Sequence, residues 1–157
     1  LGVPTITVLH GPSTAGGAYQ PGLSDYVVGI KKNGIAALAG SALVKAATGE
    51  DSSDSELGST EMHAEVTGLV EYLAEDDAHG IEIARDLVKS LSWQTEPSIP
   101  EVNSQYPKYN KDEILGLVSP DYQKPYDVRE LIARLVDNSK FMEFKPNYGF
   151  ATICIQA

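Results

Sequence analysis

Short apolar runs rich in β-branched residues recur along the chain, and such runs are typical of buried β-strands. They lie at residues 3–9, 25–30, 35–39, 69–73 and 150–155. Between the second and third runs stands Asn33-Gly34, the dipeptide most typical of a tight hairpin turn. The pattern therefore predicts five strands, with a hairpin that joins 25–30 to 35–39.

Helical periodicity and capping residues separate these runs. A short helix is predicted around 18–24, a second from Ser41 as N-cap to Thr48 with Gly49 as its stop, and a helical turn near Met62-His63 inside an acidic, Ser-rich loop. The clearest helix begins at Asp76 or Asp77. Its predicted buried face consists of Ile81, Ala84, Leu87, Val88 and Leu91.

A further helix is predicted from Asp127, which forms a capping-box-like start with Glu130. Its predicted buried face consists of Val128, Leu131, Ile132, Leu135 and Val136. Between the two long helices, residues 94–111 are rich in Pro, Ser, Asn and Gln and predict an extended linker. Strands that alternate with helices indicate an α/β fold, with a boundary near this linker.

Both ends of the chain lie in predicted core strands, and its first residue is Leu1 rather than Met. A domain that begins and stops inside core strands would lack their partners. We therefore expect the chain to be an internal segment of a longer protein.

Composition narrows the functional classes. The 157 residues carry a formal charge of −10, and fourteen of the twenty-two acidic residues lie between 50 and 101. This charge argues against nucleic-acid or anionic-membrane binding, and no apolar stretch is long enough to span a bilayer. The single cysteine, Cys154, excludes a disulfide within the chain and indicates a reducing compartment.

The glycine-rich segment 11–17 is the first candidate for chemistry. It follows a strand and leads through Gly16-Gly17 into a helix, an arrangement that presents backbone N–H groups to negative charge. A phosphate-binding P-loop is excluded because Gly17-Ala18 stand where Lys and Ser/Thr are required. A hydrolase elbow is disfavoured because Ala15 replaces the last glycine of G-x-S-x-G. An oxyanion hole and a plain glycine turn both remain open.

The titratable residues are less specific. His10, His63 and His79 are not spaced with other ligands like a metal site, and each is interpreted as a core or surface side chain. Lys31, Lys32 and Lys45 are the basic residues nearest to the glycine loop in sequence, and they are candidates for contact with a phosphorylated ligand.

Several segments together resemble one family. Residues 13–26 (STAGGAYQPGLSDY) resemble the glycine loop of the carboxyltransferase (β) subunits of biotin-dependent acyl-CoA carboxylases. The resemblance continues, in order, at 38–40, 43–50, 56–58, 62–63, 72–76, 126–137 (YDVRELIARLVD) and 141–145 (FMEFK). It covers nearly the whole chain, and residues 127–137 resemble the methylcrotonoyl-type and related broad acyl-CoA branches more than the propionyl-specific ones.

The resemblance implies an α/β, crotonase-like (ClpP/crotonase) fold of superhelical ββα units, with parts of two subdomains. Residues 1–93 would be the C-terminal part of the N-terminal carboxyltransferase subdomain. Residues 94–111 would be the linker, and 112–157 the start of the C-terminal subdomain.

The resemblance also implies an activity, the transfer of a carboxyl group from carboxybiotin to an acyl-CoA. In such enzymes carboxybiotin releases CO₂, its ureido nitrogen takes a proton from the acyl-CoA, and the resulting enolate attacks the CO₂. Gly16 and Gly17 would be the catalytic residues, since their N–H groups would bind the thioester oxygen. Thr14, Ala15, Ala18 and Lys45 would bind substrate, and no metal is implied.

The implied partners are an acyl-CoA, a biotin carboxylase or biotin-carrier subunit and further copies of the chain, in the cytoplasm or the mitochondrial matrix. The family's biotin-side amide pair would lie beyond residue 157, so we expect the isolated chain to be inactive. Ser41-Ala42 and Ser59-Thr60 depart from the family's usual Pro-Pro and Gly-Ala. A crotonase-type hydratase or isomerase and a non-catalytic scaffold of the same fold are the alternatives.

Overall fold

A computed structural model describes residues 3–91, 104–121, 123–149 and 151–156. The chain forms two compact units, Leu1–Ser92 with Phe144–Thr152 and Trp93–Glu143 with Ile153–Ala157. Most of the predicted linker, residues 94–103, lies outside the described residues. The division into subdomains at 94–111 stays a prediction, because it concerns the domains of a longer protein.

The described part of the first unit contains two parallel sheets. Their strands are β1 (Ile6–Leu9), β2 (Pro12–Thr14), β3 (Tyr26–Ile30), β4 (Ile35–Ala37) and β5 (Tyr72–Ala74). One sheet has the order β1-β3-β5, and the other pairs β2 with β4. Strands are therefore found in the four apolar runs predicted for this unit, whereas β2 lies where a turn was expected.

The helices of the first unit connect these strands. They are α1 (Tyr19–Leu23), α2 (Ser41–Thr48), α3 (Asp54–Gly58), α4 (Thr60–Met62) and α5 (Asp77–Ser90), with a 3₁₀ helix at Ala15–Ala18 and a π-helix at His63–Thr67. The acidic stretch after Glu50 is therefore more helical than predicted. Its first helix begins with a capping box between Ser53 and Glu56.

The core lies around the central strand β3. Val27, Val28 and Ile30 are all buried, as expected for a parallel strand that is covered on both faces. Leu9, Ala36, Ala64 and Val70 pack with Val27 in one cluster. The core is therefore supplied by strands and by the helical segment before β5.

The predicted hairpin at Asn33-Gly34 is wrong. β3 and β4 belong to different sheets, and each pairs in parallel with strands remote from that turn. Gly34 is buried where a Cβ would lie 2.4 Å from the Leu9 carbonyl oxygen, and its own carbonyl accepts the Thr60 N–H at 3.1 Å. These long-range contacts outweigh the local turn preference, so the chain crosses between sheets.

Helix α2 has the predicted bounds, and Gly49 ends it in the left-handed region at φ 78°. The predicted cap is wrong, because the N-cap residue is Gly40 and the Ser41 N–H donates to Asp54 Oδ1 at 2.7 Å. The N-terminus of α2 is thus capped by a carboxylate that belongs to another helix, α3. This bond, together with the Ser41 side chain, lowers the pKa of Asp54.

Helix α5 begins where predicted, with the Asp76 carboxylate accepting the His79 N–H at 2.8 Å. Leu87 is fully buried, but Ile81 and Val88 are 51% and 62% exposed. Gly80 instead faces the sheet, where a Cβ would lie 2.5 Å from Ile30 Cδ1. The predicted buried face is therefore wrong at Ile81 and Val88.

The second unit contains short elements in its described part. They are a 3₁₀ helix at Lys111–Glu113, α6 (Ile114–Leu117), α7 (Val128–Ile132), a 3₁₀ helix at Asp137–Ser139, β6 (Met142–Phe144) and β7 (Cys154–Gln156). The last predicted strand is thus found at the end of its apolar run. Strands β6 and β7 pair with each other.

Helix α7 begins with the predicted cap, since Asp127 Oδ1 accepts the Arg129 N–H at 3.0 Å. The capping-box role of Glu130 is wrong, because its carboxylate accepts from Arg134 Nη1 at 2.8 Å. Arg134 is buried between Glu130 and Glu113, while Leu135 of the predicted buried face is exposed. No helix among the described residues is long and apolar enough to cross a membrane.

Candidate functional site

The glycine loop, residues Thr14 to Ala18, lies at the carboxyl end of β2. Strand β2 ends at Thr14 with extended backbone, and the 3₁₀ helix starts at the next residue. The register of the parallel pair places Thr14 beside Ala37, where β4 also ends. Ligands of α/β proteins commonly bind outside the carboxyl ends of parallel strands, so the loop has a suitable place in the fold.

Backbone geometry at this turn is unusual for its sequence. Ala15 has φ 52°, in the left-handed region that L-residues with a side chain seldom adopt. Such conformations cost free energy and are found preferentially at functional sites. The strained residue directly precedes Gly16 and Gly17, and it sets the direction in which their amides leave the strand.

The two glycines have different surroundings. A Cβ at Gly16 would meet no atom within 4 Å, whereas a Cβ at Gly17 would lie 3.0 Å from Ser13 Oγ. Both glycines, Thr14 and Ala15 are exposed, and Ala18 is half-buried. The loop therefore presents unobstructed backbone on the side of Gly16, and it packs against its own strand on the side of Gly17.

The loop is held from the next helix. The Tyr19 N–H donates to the carbonyl oxygens of both Gly16 and Gly17. Helix α1 is in turn tied to β1 through the hydroxyls of Ser24 and Thr7, which lie 2.6 Å apart. The loop is thus bonded to the start of α1, and the end of α1 is bonded to β1, a strand that precedes the loop.

A cavity of about 270 Å³ lies next to the loop. It is lined by Thr7, Val8, Leu9, His10, Gly11, Pro12, Ser13, Gln20 and Pro21. His10 is the titratable side chain of this lining, and its Nδ1 lies 3.8 Å from Asp77 Oδ1, too far for a hydrogen bond. The pair is exposed and is not arranged as an oriented general base.

Large apolar side chains are exposed on elements that follow the loop in the chain. They are Tyr19 and Leu23 of α1, Leu38 after β4, and Leu43 of α2. Lys45 also lies on α2, and its Nζ is 2.5 Å from Asp51 Oδ1. The structure thus brings together Thr14 to Ala18, and it pairs Lys45 with a carboxylate from the loop after α2.

Lys31 and His79 have protein partners for their side chains, whereas the bond at Lys32 is made by its backbone. Lys31 forms an ion pair with Glu75, and the Lys32 N–H donates to Glu61 Oε1 at 2.7 Å. His79 Nδ1 accepts the Glu75 N–H at 3.2 Å. Within the described ranges, no group of three or more His, Cys, Asp or Glu could hold a metal ion.

His63 is a core side chain, one of the two interpretations that the sequence left open for it. It is buried, and its Nε2 lies 2.7 Å from the carbonyl oxygen of Ala36 in β4, the strand beside β2. The available clue was a polar side chain between two small residues of a buried segment, Thr60 and Ala64. The pattern alone does not show which strand it contacts.

Residues 2–157 match the family described as the carboxyl transferase domain. The chain belongs to this family. It is 48% identical over 152 residues to a probable biotin-dependent acyl-coenzyme A carboxylase beta2 subunit of Mycobacterium tuberculosis, covering 97% of this chain and 28% of that protein. It is 40% identical over 169 residues to a probable mitochondrial methylcrotonoyl-CoA carboxylase beta chain of Drosophila melanogaster, covering 98% and 29%.

The carboxyl transferase fold is also found by structural comparison. The transcarboxylase 12S structure with methylmalonyl-coenzyme A and methylmalonic acid bound, described as a hexamer, superposes with a TM-score of 0.87 at 32% identity, covering 98% of this chain and 30% of that one. The predicted α/β, crotonase-like fold class is confirmed. This carboxyl transferase chain spans less than a third of the length of these relatives.

Proposed function

We propose that this chain is part of the carboxyltransferase subunit of a biotin-dependent acyl-CoA carboxylase and that its glycine loop binds the acyl thioester. One observation carries the proposal: in a carboxyl transferase chain, the backbone at Gly16 is exposed, with open space where a side chain would project. That space fits a thioester carbonyl approaching the amides. A plain turn requires glycine for positive φ or tight packing, and neither applies at Gly16.

The amides of Gly16 and Gly17 act as the oxyanion hole. They donate hydrogen bonds to the thioester oxygen, and these bonds strengthen as negative charge develops on that oxygen in the enolate. Carboxybiotin on a carrier domain would supply CO₂, and the ureido nitrogen left behind would accept the proton lost from the substrate carbon that is carboxylated. The pair of electrons left at that carbon forms the new bond to CO₂, so no general base from this chain is required.

The remaining residues of the loop line the substrate. Thr14, Ala15 and Ala18 lie beside the thioester and the pantetheine, where small side chains permit close approach. Lys45 binds the substrate's phosphates and exchanges its contact with Asp51 for them. We assign no residue of this chain to biotin, whose binding residues belong to the rest of the subunit.

The proposed partners follow from the reaction. The subunit acts with a biotin carboxylase or biotin-carrier subunit and assembles with further copies of itself, in the cytoplasm or in the mitochondrial matrix of a eukaryote. The names of the relatives suggest the acceptors to compare, namely methylcrotonoyl-CoA and the decarboxylated form of methylmalonyl-CoA.

The test is Gly16→Ala in the full-length protein assembled with its biotin-bearing partner. A methyl group at this position meets no protein atom, so stability is unchanged, but it occupies the proposed place of the thioester. Carboxylation falls about a hundredfold or more, as when a donor of an oxyanion hole is removed. Gly22→Ala is the matched control, since Gly22 is exposed in α1 with equally open surroundings and its variant keeps full activity.

Three results would overturn the proposal. Full activity of Gly16→Ala would show that the thioester binds elsewhere. Hydration or isomerisation of an enoyl-CoA by the protein without the biotin-bearing partner would favour a crotonase-type enzyme. An unsubstituted holoenzyme with no carboxylation of any acyl-CoA tested would favour a scaffold.

A further inference from the structure

The hydrogen bonds of His63 connect a buried ring to the sheet that carries the glycine loop. The Ala36 carbonyl can only accept, so His63 Nε2 carries the proton in the 2.7 Å bond between them. In the neutral ring Nδ1 is then the acceptor, and the Thr67 hydroxyl lies 2.8 Å from it. Both ring nitrogens therefore have partners, and the ring orientation is fixed.

The bond to Ala36 lies one strand from the loop. Ala36 is paired with Ser13 in the parallel β2-β4 sheet, and Ser13 is followed by Thr14 and the strained Ala15. Ser13 also limits the space at the loop, since a Cβ at Gly17 would lie 3.0 Å from Ser13 Oγ. Ser13 therefore lies between the strand that His63 contacts and the side of the loop at Gly17.

The segment that holds His63 is itself closely fitted to β4. Gly58 packs so closely on Ala36 that a Cβ there would lie 2.2 Å from its carbonyl oxygen. His63 begins a π-helix, a rare single turn that occurs frequently at functional sites. This wide turn ends at Gly68, which has φ 71°. The placement of His63 against Ala36 therefore depends on this π-helical turn.

We propose that His63 is a positioning residue for the carboxyl transfer reaction, acting through Ala36 and β2 on the amides of Gly16 and Gly17. This inference rests on the proposed function of the loop. His63 does not touch the substrate, so its loss affects the alignment of the amides in the transition state more than substrate binding. A displacement of about 1 Å far from the reacting atoms can lower the rate about a hundredfold.

Two amide substitutions at His63 separate its two hydrogen bonds. The nitrogen of Gln reaches the place of Nε2 and keeps the donor to Ala36, whereas Asn reaches only the place of Nδ1 and keeps the contact with Thr67. In the full-length holoenzyme, His63→Asn lowers kcat about ten- to a hundredfold with KM within about twofold, and His63→Gln stays within about threefold in kcat. Thr67→Val, which leaves the Ala36 bond in place, keeps kcat and loses only stability.

Hydrogen exchange supplies a readout that is independent of activity. Peptides covering 11–18 and 35–39 exchange faster in His63→Asn than in His63→Gln, while peptides of α5 do not differ. If faster exchange leaves kcat unchanged, or if Gln and Asn lower kcat equally, the positioning role is wrong. If His63→Asn does not fold, His63→Gln decides alone. A more than tenfold loss of kcat in folded His63→Gln would then overturn the positioning role.

The proposed function fails differently. In that case the unsubstituted holoenzyme carboxylates no acyl-CoA, and the positioning role of His63 in carboxyl transfer is wrong as well. The exchange experiment still decides whether His63 holds the loop. Exchange that is identical in all variants removes the structural connection as well.

Discussion

Gly16 and Gly17 are adjacent, but the structure assigns them different reasons for being glycine. Gly17 has no room for a Cβ beside Ser13 Oγ without an adjustment, so packing within the loop accounts for it. Gly16 has ample room and no positive φ, so neither packing nor conformation accounts for it. The proposed contact of both amides with the thioester uses this open space at Gly16, whereas at Gly17 it adds to the constraint from packing.

Tyr72 in β5 makes the free energy of unfolding depend on pH in the alkaline range. Burial, with smaller contributions from nearby Tyr26 and Glu71, raises the pKa of Tyr72 from about 10 to about 12. Between these values the unfolded chain loses the phenol proton while the folded chain retains it. Stability therefore falls as pH rises from about 10 to about 12, by at most about 1.4 kcal/mol per pH unit, and the contribution is complete below pH 10.

The corresponding prediction is that Tyr72→Phe removes this part of the alkaline loss. In urea unfolding of the full-length protein at several pH values, the stability difference between parent and variant is constant up to about pH 9.5 and then shifts in favour of the variant. Tyr106→Phe, at a tyrosine that is 94% exposed, is the control and follows the parent. Parallel curves for the parent protein and Tyr72→Phe up to pH 12 would contradict the assignment.

At the scale of elements, α5 shows how sequence periodicity overstates a buried face. Leu87 is fully buried and Val88 is 62% exposed, although both belong to the predicted face. Leu87→Ala is expected to lower the free energy of unfolding by about 2–5 kcal/mol, because it removes buried methyl groups and leaves a cavity. Val88→Ala, the matched control one residue further on, changes it by about 0.5 kcal/mol or less.

Urea unfolding of the full-length protein measures both variants of α5. Equal losses for Leu87→Ala and Val88→Ala would restore the face predicted by periodicity. A large loss at Val88 alone would mean that another surface covers this side of α5 in the complete subunit.

Elements that depend on local chemistry could be predicted from the sequence. Gly49 ends α2 in the left-handed region and Asp76 caps α5, as their residue types indicate. The absence of a hairpin at Asn33-Gly34 could not be predicted from the local sequence, because β3 and β4 pair with parallel strands 20 or more residues away. The Asp54 cap of α2 is likewise a contact between separate helices.

The candidate site divides in the same way. Thr14 to Ala18 are contiguous, so the glycine-rich segment marked their position and the family resemblance implied their roles, which stay predictions. The contact of His63 with Ala36 spans 27 residues and depends on a π-helix, for which the sequence has no recognisable pattern. The ion pair of Lys45 with Asp51 depends on how the chain turns after α2, and proximity in sequence to the loop did not reveal it.

At the scale of the whole chain, the acidic stretch from residue 50 to 101 has a structural explanation. In its described part, several carboxylates accept backbone N–H groups: Asp54 from Ser41, Glu56 from Ser53, Glu61 from Lys32, Glu71 from Val27 and Asp76 from His79. Charge-assisted bonds of this kind are stronger than neutral ones. Part of the acidity thus supports caps and strand ends.

Glu71 also joins parts of the first unit that are far apart in sequence. Its Oε2 accepts the Val27 N–H at 2.6 Å, and its Oε1 lies 3.3 Å from Lys145 Nζ. Lys145 donates to the Gly68 carbonyl as well, and the neighbouring Phe144 packs edge-on against Tyr26 and Tyr72. Phe144 and Lys145 are thus attached to the elements around the sheet through a buried carboxylate, a backbone carbonyl and two tyrosine rings.

Removing Lys145 leaves the buried Glu71 carboxylate without its cation. Lys145→Met is therefore expected to lower the free energy of unfolding of the full-length protein by about 2–3 kcal/mol, below the 3–5 kcal/mol of fully buried pairs because the lysine is partly exposed. Glu71→Gln alone also destabilises, since it weakens the bond to Val27. In the double variant the losses are less than additive, because neither charge is left unpaired. Additive losses in this double-mutant cycle, measured by urea unfolding, would show that the two side chains stabilise the unit independently.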